Sequence, residues 1–409
     1  MADQLLGQAW LDAPPTRGLI EALDRAGIDF RFVGGVVRDG LLGRPVADID
    51  LATPSPPDAV IRAIEAAGLK AIPTGLAHGT VTALVKGRHF EITTLRRDVE
   101  TDGRHAVVAF TDDWREDAAR RDFTMNALYA DRDGRITDFF GGIADARAGR
   151  VRFIGDPARR IEEDGLRILR FFRFHAWYGQ VAPDPDGLAA CAAMAGMIDR
   201  LSGERIQAEI FKLLGAPDPA PVWQAMIAHG IVAHLIPAAT RVDDLARLVA
   251  AERGLGLPAG PLRRLAALTG PTDGGQIAAL KARLKLSNQD EETLRSVDGM
   301  SDGLALLAKG DFGQALYGRE PGVVRDAALV AYARTGCPDL RTVADLRQFS
   351  KSWREPRFPL SGGDLTALGI APGPAMGSLL KQVEDWWMAG GFVADREGCL
   401  AELERRRLA

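Results

Sequence analysis

The sequence predicts an α+β fold, in which a small mixed α/β region comes first and a long helical region follows. Residues 46–51 alternate apolar and charged side chains, and this period of two indicates a strand. Further strands are predicted at 30–33, 80–85, 89–94 and 106–110. From Arg159 onward the apolar residues recur at helical spacing between Pro- and Gly-rich clusters, which predicts helices only.

The segments between the predicted strands carry local signals of their own. Residues 17–27 form an amphipathic pattern, and residues 36–42 fit a second, short helix. Gly34 and Gly35 stand between a predicted strand and that helix, where a tight turn is expected. Residues 96–105 are charged and contain glycine, which predicts a loop.

The composition excludes several classes of protein. With 409 residues, 46% hydrophobic and 26% charged, the chain is expected to form about two to four globular domains. No stretch reaches the roughly 18 apolar residues of a membrane span, and the first residues lack a signal-peptide pattern. We therefore expect a cytoplasmic protein with no membrane partner. Cys191, Cys337 and Cys399 are isolated, which predicts reduced thiols rather than disulfides or a thiolate zinc site.

The charge of the chain gives no direct indication of a polyanionic partner, because the net charge is −4. Nucleic-acid binding depends on local basic surface rather than on the total, however, and arginines are concentrated between Arg150 and Arg173. An RNA partner therefore stays open.

Three acidic residues in two predicted strands form a candidate catalytic and metal site. Asp48 and Asp50 are two residues apart, and side chains two apart in a strand lie on the same face. A divalent cation relieves the repulsion between such carboxylates, and Mg²⁺ is the natural occupant because it prefers oxygen ligands. Glu91 is a possible third carboxylate, which would help to deprotonate an attacking hydroxyl. The competing interpretations are a solvated strand edge for the aspartates and a surface position for Glu91.

A phosphate-binding turn is predicted just before the aspartates. Gly34 and Gly35 let backbone N–H groups approach a phosphate at a helix N-terminus, and Arg38 lies on the first turn of that helix. Two adjacent glycines are a weak signal by themselves, and the glycine fingerprint of dinucleotide-binding folds does not follow them.

The segment around these residues, GGVVRDGLLGRPVADIDLAT, resembles the signature of the nucleotidyltransferase branch that contains bacterial tRNA CCA-adding enzymes and poly(A) polymerases. Further blocks of that pattern follow in order: TGLAHGT at 74–80, EITTLRRD at 91–98, EDAARRDFTMNALY at 116–129, EEDGLRILRFFRF at 162–174 and SGERIQAEIFKLL at 202–214. The ordered blocks make the resemblance specific through about residue 215.

The resemblance implies a class II enzyme with a nucleotidyltransferase head, a base-recognising neck, a body and a tRNA-binding tail. The head is expected to be a small mixed sheet that carries Asp48 and Asp50 as the two metal-binding aspartates, and the other three parts are expected to be helical. We place the four parts at residues 1–150, 151–215, 216–345 and 346–409. Mg²⁺ is the cofactor that the resemblance implies, tRNA, CTP and ATP are the partners, and no DNA partner is expected.

Asp164 and Arg167 are a candidate pair for reading the nucleobase. An ionised Asp only accepts hydrogen bonds and an Arg only donates them. Cytosine and adenine both present an amino donor beside a ring-nitrogen acceptor, which matches this pair, whereas uracil and guanine present the inverse order and leave groups unpaired. The alternative is a surface ion pair on one continuous helix, which is predicted over 159–178.

The resemblance implies the same roles for this pair, namely a protein template for CTP and ATP. It also implies that three arginines contact phosphate or ribose: Arg121, Arg170 and Arg173. The usual family form has proline after the Asp, whereas this chain has Gly165, so the departure concerns the start of the helix and not the two reading side chains.

The predicted activity is template-independent addition of C, C and A to the 3′ end of tRNA by two-metal-ion nucleotidyl transfer, in which Asp48 and Asp50 would hold two Mg²⁺ ions. Three alternatives stay open: a poly(A) polymerase, a CC-only or A-only enzyme, and a non-catalytic RNA-binding protein. Poly(A) polymerases usually carry a basic GRR-type segment soon after the aspartates, and only KGRHF at 86–90 is found here. Residues 96–105 match a mobile element that the family uses to switch from C to A, which speaks against a CC-only enzyme.

Overall fold

The computed structural model describes residues 4–5, 8–101 and 106–408, and the chain divides into two compact units between Pro237 and Ala238. The predicted head and neck both fall within the first unit, and the predicted body begins there. The four-part division and its boundaries stay a prediction.

The first unit is built on a mixed sheet, and the predicted α+β class is confirmed. The strands of the described chain are β1 (Arg31–Val33), β2 (Ile49–Thr53), β3 (Lys70–Gly75), β4 (Thr80–Val85), β5 (Arg88–Thr94), β6 (Arg96–Thr101), β7 (Ala106–Phe110), β8 (Leu128–Ala130) and β9 (Ile136–Asp138). Within that part, seven strands form one sheet in the order β3-β4-β5-β2-β1-β8-β9. Strands β2 and β5 run parallel, and the other neighbours run antiparallel.

Helices surround this sheet and continue after it. In the first unit they are α1 (Ala9–Asp12), α2 (Pro14–Arg25), α3 (Gly35–Leu41), α4 (Pro57–Ala66), α5 (Trp114–Ala119), α6 (Gly142–Ala148), α7 (Pro157–Glu163), α8 (Leu166–Tyr178), α9 (Pro185–Ala193), α10 (Gly203–Leu214) and α11 (Ala220–Ala228). Helices α2 and α4 pack on one face of the sheet, where Leu19, Leu23, Val60 and Ile64 are buried. Burial of these apolar faces is what holds the strands in register.

The second unit contains helices throughout its described residues, in agreement with the helical periodicity. These are α12 (Val242–Gly254), α13 (Pro261–Thr269), α14 (Gly274–Leu284), α15 (Asn288–Asp298), α16 (Ser301–Lys309), α17 (Phe312–Leu316), α18 (Pro321–Thr335), α19 (Leu340–Ser352), α20 (Gly362–Ala367), α21 (Pro374–Ala389) and α22 (Arg396–Leu408). None of the helices in the described ranges is long and apolar enough to cross a membrane.

Three local predictions are wrong. Residues 96–101 form strand β6, which pairs with β7, so the predicted loop over 96–105 is a strand in that part, and residues 102–105 lie outside the described residues. Strand β2 begins at Ile49, so Asp48 precedes the strand rather than lying within it.

The third wrong prediction is the single helix over 159–178. It is two helices, because Asp164 has extended backbone angles, with φ −156° and ψ 106°, between α7 and α8. The Asp164 carboxylate accepts a hydrogen bond from the backbone N–H of Leu166 at 3.1 Å, which stabilises the break. Gly165 has a φ of −58°, an angle that proline also adopts, so the departure from the family form does not redirect the backbone.

Candidate active site

The carboxylates of Asp50 and Glu91 lie side by side at the centre of the sheet. Asp50 pairs with Glu91 in the parallel register of β2 and β5. The residues on either side of Asp50, Ile49 and Leu51, are buried in the apolar core, so alternation turns Asp50 to the opposite face. Asp48 is exposed just before the strand.

The charge of Asp50 is poorly compensated. Burial raises the pKa of Asp50 to about 6, the carboxylates of Glu91 and Asp48 add to the shift, and Arg121 opposes it. Among the described residues, none of the three carboxylates accepts a hydrogen bond or forms an ion pair. A divalent cation would supply the missing positive charge, so the chemistry of these donors fits a metal ion.

The carboxylates do not form a complete metal cage. Among the described residues, no group of three or more His, Cys, Asp or Glu side chains is placed to hold a metal ion. Mg²⁺ usually binds through one or two carboxylates, with water and substrate phosphates completing its octahedral shell. Asp48 and Asp50 therefore fit Mg²⁺ better than a metal that needs a closed protein site.

The turn at Gly34 brings backbone and arginine side chains close together beside the sheet. Gly34 has a φ of +73° and ψ of −120°, a conformation that side chains with a Cβ rarely adopt, and it directly precedes α3. A Cβ at Gly34 would lie 3.4 Å from Nη1 of Arg121, and a Cβ at Gly35 would lie 3.6 Å from Nη2 of Arg38. Glycine thus keeps the space in front of both guanidinium groups open.

Arg38 is held in place by several partners. Its Nη1 donates to Oδ1 of Asn126 at 2.5 Å, and its Nη2 donates to the hydroxyl of Tyr178 at 2.7 Å. The Asp39 carboxylate accepts two further hydrogen bonds from the same guanidinium. The side chain is only 8% exposed, so its charge is pre-positioned rather than mobile.

Arg121 is held by a buried carboxylate and a tyrosine. Its Nη2 lies 3.2 Å from the carboxylate of Asp117, which also accepts a hydrogen bond from Tyr129 at 2.7 Å and pairs with Arg120. Burial alone would raise the pKa of Asp117, but the two guanidinium groups outweigh burial and lower the pKa to about 2.

The low pKa of Asp117 predicts how stability falls in acid. The ordinary value is 3.8, so the ion pair contributes fully above about pH 4 and is lost as the pH falls through about 2. We expect the free energy of unfolding of the wild type to fall by about 2 kcal/mol more between pH 5 and pH 2 than that of Asp117→Asn. Denaturant titrations at several pH values measure this, with the exposed residue Asp112, as Asp112→Asn, as control. An equal fall in the free energy of unfolding between pH 5 and pH 2 for wild type and Asp117→Asn would contradict the prediction.

The predicted base-reading pair is engaged with neighbouring side chains. Oδ2 of Asp164 accepts from Nη2 of Arg205 at 2.7 Å. Arg167 pairs with the carboxylate of Glu163 and donates to the backbone carbonyl oxygens of Arg160 and Arg120. These contacts hold the two side chains in defined positions. The side chains of Asp164 and Arg167 do not pair with each other, although the backbone N–H of Arg167 donates to the carbonyl oxygen of Asp164 at 3.0 Å.

A buried polar chain connects the sheet region to helix α8. Nδ2 of Asn126 donates to Oδ1 of Asp122 at 2.9 Å, and Nε of Arg170 donates to Oδ2 of the same carboxylate at 2.7 Å. Burial alone would raise the pKa of Asp122. The charge of Arg170 and the hydrogen bonds from Asn126 and Arg170 outweigh burial and hold this pKa below its usual range. Arg173 instead pairs with Glu209 at 2.7 Å.

These groups meet in one open cleft of about 540 Å³. Most of the predicted site residues line it: Gly34, Gly35, Arg38, Asp50, Arg121, Asp164, Arg167 and Arg170. Three predicted residues are not among its lining residues: Asp48, Glu91 and Arg173. The lining residues to which sequence reasoning assigned no role are Asp122, Asn126, Leu166, Phe174 and Arg205. All five fall within the ordered sequence blocks of the family resemblance. The blocks therefore marked these positions, but the residue types alone did not indicate a chemical role for them.

Comparison with known proteins identifies the family. Residues 30–152 match the model of the "Poly A polymerase head domain", and residues 181–242 match "Probable RNA and SrmB- binding site of polymerase A". The mitochondrial CCA tRNA nucleotidyltransferase 1 of Mus musculus is 33% identical over 399 residues, which covers 95% of this chain and 89% of the mouse protein. The chain belongs to the CCA-adding nucleotidyltransferase family.

Other members of the CCA-adding family match over nearly the whole length. The CCA-adding enzyme of Limosilactobacillus fermentum is 32% identical, with 92% of this chain and 94% of the relative covered. The crystal structure of the Bacillus stearothermophilus CCA-adding enzyme in complex with CTP matches with a TM-score of 0.81 and 30% identity, over 97% of this chain and 98% of that one. The Thermotoga maritima CCA-adding enzyme complexed with tRNA shares the fold at 21% identity and a TM-score of 0.67.

Proposed function

We propose that this chain adds C, C and A to the 3′ end of tRNA, using CTP and ATP and no nucleic-acid template. The observation that carries the proposal is the single cleft in which Asp50, Arg38 and the Asp164–Arg167 pair all lie. That combination joins a metal-binding carboxylate, a phosphate-binding cation and a base-selective pair. Relatives over nearly the full chain bear the name of this activity, and one solved relative holds CTP.

Enzymes of this family generally use a divalent metal ion, and we propose that it is Mg²⁺, held by Asp48 and Asp50. When bound, Mg²⁺ lowers the pKa of the attacking hydroxyl and neutralises charge on the triphosphate. Glu91, in register beside Asp50, is proposed to accept the proton that the hydroxyl releases. The new bond joins the 3′-oxygen of the tRNA to the α-phosphorus, and the bond to pyrophosphate breaks.

We propose that the remaining predicted residues that line the cleft bind and orient the nucleotide. We propose that the backbone at Gly34 and Gly35, together with the guanidinium groups of Arg38 and Arg121, holds the triphosphate. Because these cations are fixed by partners of their own, little reorganisation is needed when the phosphates bind.

The nucleobase is proposed to lie against helix α8. Asp164 accepts from the amino group of cytosine or adenine, and Arg167 donates to the adjacent ring nitrogen. Arg170 is proposed to contact ribose or phosphate from the same helix. One pair therefore selects C and A together and leaves U and G with unpaired groups.

The tRNA partner is supported by the family match over residues 181–242, whose model is described as an RNA-binding site. We also propose a cytoplasmic location. Cys191, Cys337 and Cys399 are free thiols, the state that a reducing compartment maintains, whereas the mouse relative is mitochondrial by name. Cell fractionation tests the location directly.

The function is tested with purified protein, tRNA that lacks its 3′ CCA, MgCl₂, and each nucleotide alone and in pairs. We expect two C residues from CTP alone, and a single A after them when ATP is also present. Long A tails would instead indicate a poly(A) polymerase, and addition that stops after two C residues would indicate a CC-only enzyme. Incorporation of U and G at comparable rates would contradict the proposed base selection.

A further inference from the structure

A second pocket shares a wall with the candidate active site. It has a volume of about 320 Å³ and is lined by Arg38, Arg173, Phe174, Trp177, Tyr178, Lys212 and Gly215. We call it the Trp177 pocket. Arg38 and Phe174 line both this pocket and the catalytic cleft, so the two spaces are immediate neighbours.

Three cationic side chains line the Trp177 pocket, and two of them are paired with carboxylates outside its lining, Arg38 with Asp39 and Arg173 with Glu209. Its charged lining residues are Arg38, Arg173 and Lys212, and no carboxylate is among the residues that line it. The catalytic cleft, by contrast, is lined by aspartates as well as arginines. Arg173, which was predicted to contact phosphate or ribose, lines this pocket and not the catalytic cleft. A pocket with this lining suits a phosphate group.

Trp177 presents a free aromatic surface in this pocket. The residue is 38% exposed, although Nε1 donates to the backbone carbonyl of Lys212 at 2.7 Å and the indole is therefore fixed. The neighbouring rings are already covered, since Arg173 lies 4.4 Å from the centre of Phe174 and Arg38 lies 4.1 Å from that of Tyr178. Among the described residues, no ring or cation stacks on Trp177.

Lys212 places a free cation next to this indole. It lies in the last turn of helix α10, and its carbonyl oxygen is the group that holds Trp177. Within the described part of the chain, its ammonium group forms no ion pair or hydrogen bond. An exposed aromatic plane beside an unpaired cation is the usual arrangement for binding one unpaired nucleotide, because the base stacks and the phosphate meets the charge.

We propose that the Trp177 pocket binds an unpaired nucleotide of the RNA substrate near its 3′ end, with the base stacked on Trp177 and a phosphate against Lys212. The proposal rests on the proposed function, because it takes its RNA from there. A strand whose 3′-hydroxyl lies in the catalytic cleft reaches this pocket directly, since the two spaces share Arg38 and Phe174. The pocket thus holds the primer strand rather than the incoming nucleotide.

The test compares tRNA affinity with nucleotide affinity in Trp177→Leu and Lys212→Gln. We expect Trp177→Leu to weaken the binding of tRNA lacking CCA by about five- to a hundredfold, which is the range for one lost base stack. Lys212→Gln is expected to lower the slope of log K against log salt concentration by about one. The KM for CTP should stay within about twofold of wild type, because neither residue lines the catalytic cleft.

Matched variants separate the pocket from general effects on charge and folding. Trp177→Phe and Lys212→Arg should retain most of the affinity, and Lys70→Gln, which removes an exposed lysine on β3, should leave it unchanged. Thermal unfolding of each variant checks that the chain is folded.

Three outcomes bear on the proposal differently. Wild-type tRNA affinity in folded Trp177→Leu and Lys212→Gln would overturn it. A raised KM for CTP with unchanged tRNA affinity would also overturn it, and would assign the pocket to the free nucleotide. If the wild-type chain failed to bind tRNA at all, the proposed function itself would fail, a result distinct from either of these.

Discussion

Asp50→Asn should reduce nucleotide addition by at least about a thousandfold while tRNA binding stays within about twofold of wild type. The side chain keeps its size but loses the charge that holds the metal ion, and a metal ion contributes several kcal/mol to stabilising the transition state of phosphoryl transfer. Single-turnover addition of C to tRNA lacking CCA measures the rate, and fluorescence anisotropy measures the binding.

The control for Asp50→Asn is Asp58→Asn, which removes an exposed carboxylate from helix α4 in the same unit and should leave the rate unchanged. Asp50→Asn should also be more stable to unfolding than wild type in the absence of metal, because it removes the buried and poorly compensated charge of Asp50. Addition by Asp50→Asn at more than a tenth of the wild-type rate would rule out Asp50 as a metal ligand.

Asp164→Ala should lose the choice between nucleotides more than it loses rate. The acceptor for the amino group of cytosine and adenine disappears, and we expect the preference for C over U to fall by about ten- to a hundredfold, the worth of one charged hydrogen bond. Asp164→Asn should lose less of this preference than Asp164→Ala, since its amide oxygen can still accept from the amino group, while Arg167 still faces the ring N–H of U and G with a donor. Competition between CTP and UTP on the same tRNA gives the ratio directly.

Two further variants serve as comparisons for the change in nucleotide preference expected in Asp164→Ala. Glu162 is exposed on helix α7, so Glu162→Ala should leave the preference for C over U unchanged. Arg205→Gln removes the ion pair that holds Asp164, and it should weaken selection less than Asp164→Ala does. Unchanged C-to-U preference in Asp164→Ala would show that the protein does not read the base through this residue.

The sequence indicated the strands and the functional residues near the sheet more accurately than it indicated where each strand begins and ends. Alternation in 46–51 correctly indicated a strand, but β2 begins at Ile49, because pairing with β5 and not the alternation decides where a strand starts. The strand formed by 96–101 was missed, since its residues are charged and its stability comes from pairing with 106–110, a partner that no local pattern reveals.

The break at Asp164 shows a similar limit. Helical spacing of apolar residues continues across the break, so periodicity alone predicted one helix. The extended backbone depends on hydrogen bonds from the Leu166 N–H and from Arg205, and the second of these partners is distant in the chain. This break places Asp164 between two helices, where its carboxylate reaches the cleft.

The sequence by itself determined the α+β class, the ordered motifs of the family, and the residue types that carry the proposed chemistry, because these depend on local pattern and on side-chain chemistry. Only the tertiary structure decided which of those residues share a cleft, which cations are held by partners such as Asn126, Asp117 and Glu209, and that Arg173 lines a different pocket from Arg170. The physical reason is that ion pairs and pocket walls join side chains far apart in the chain, and their geometry is set by packing rather than by sequence spacing.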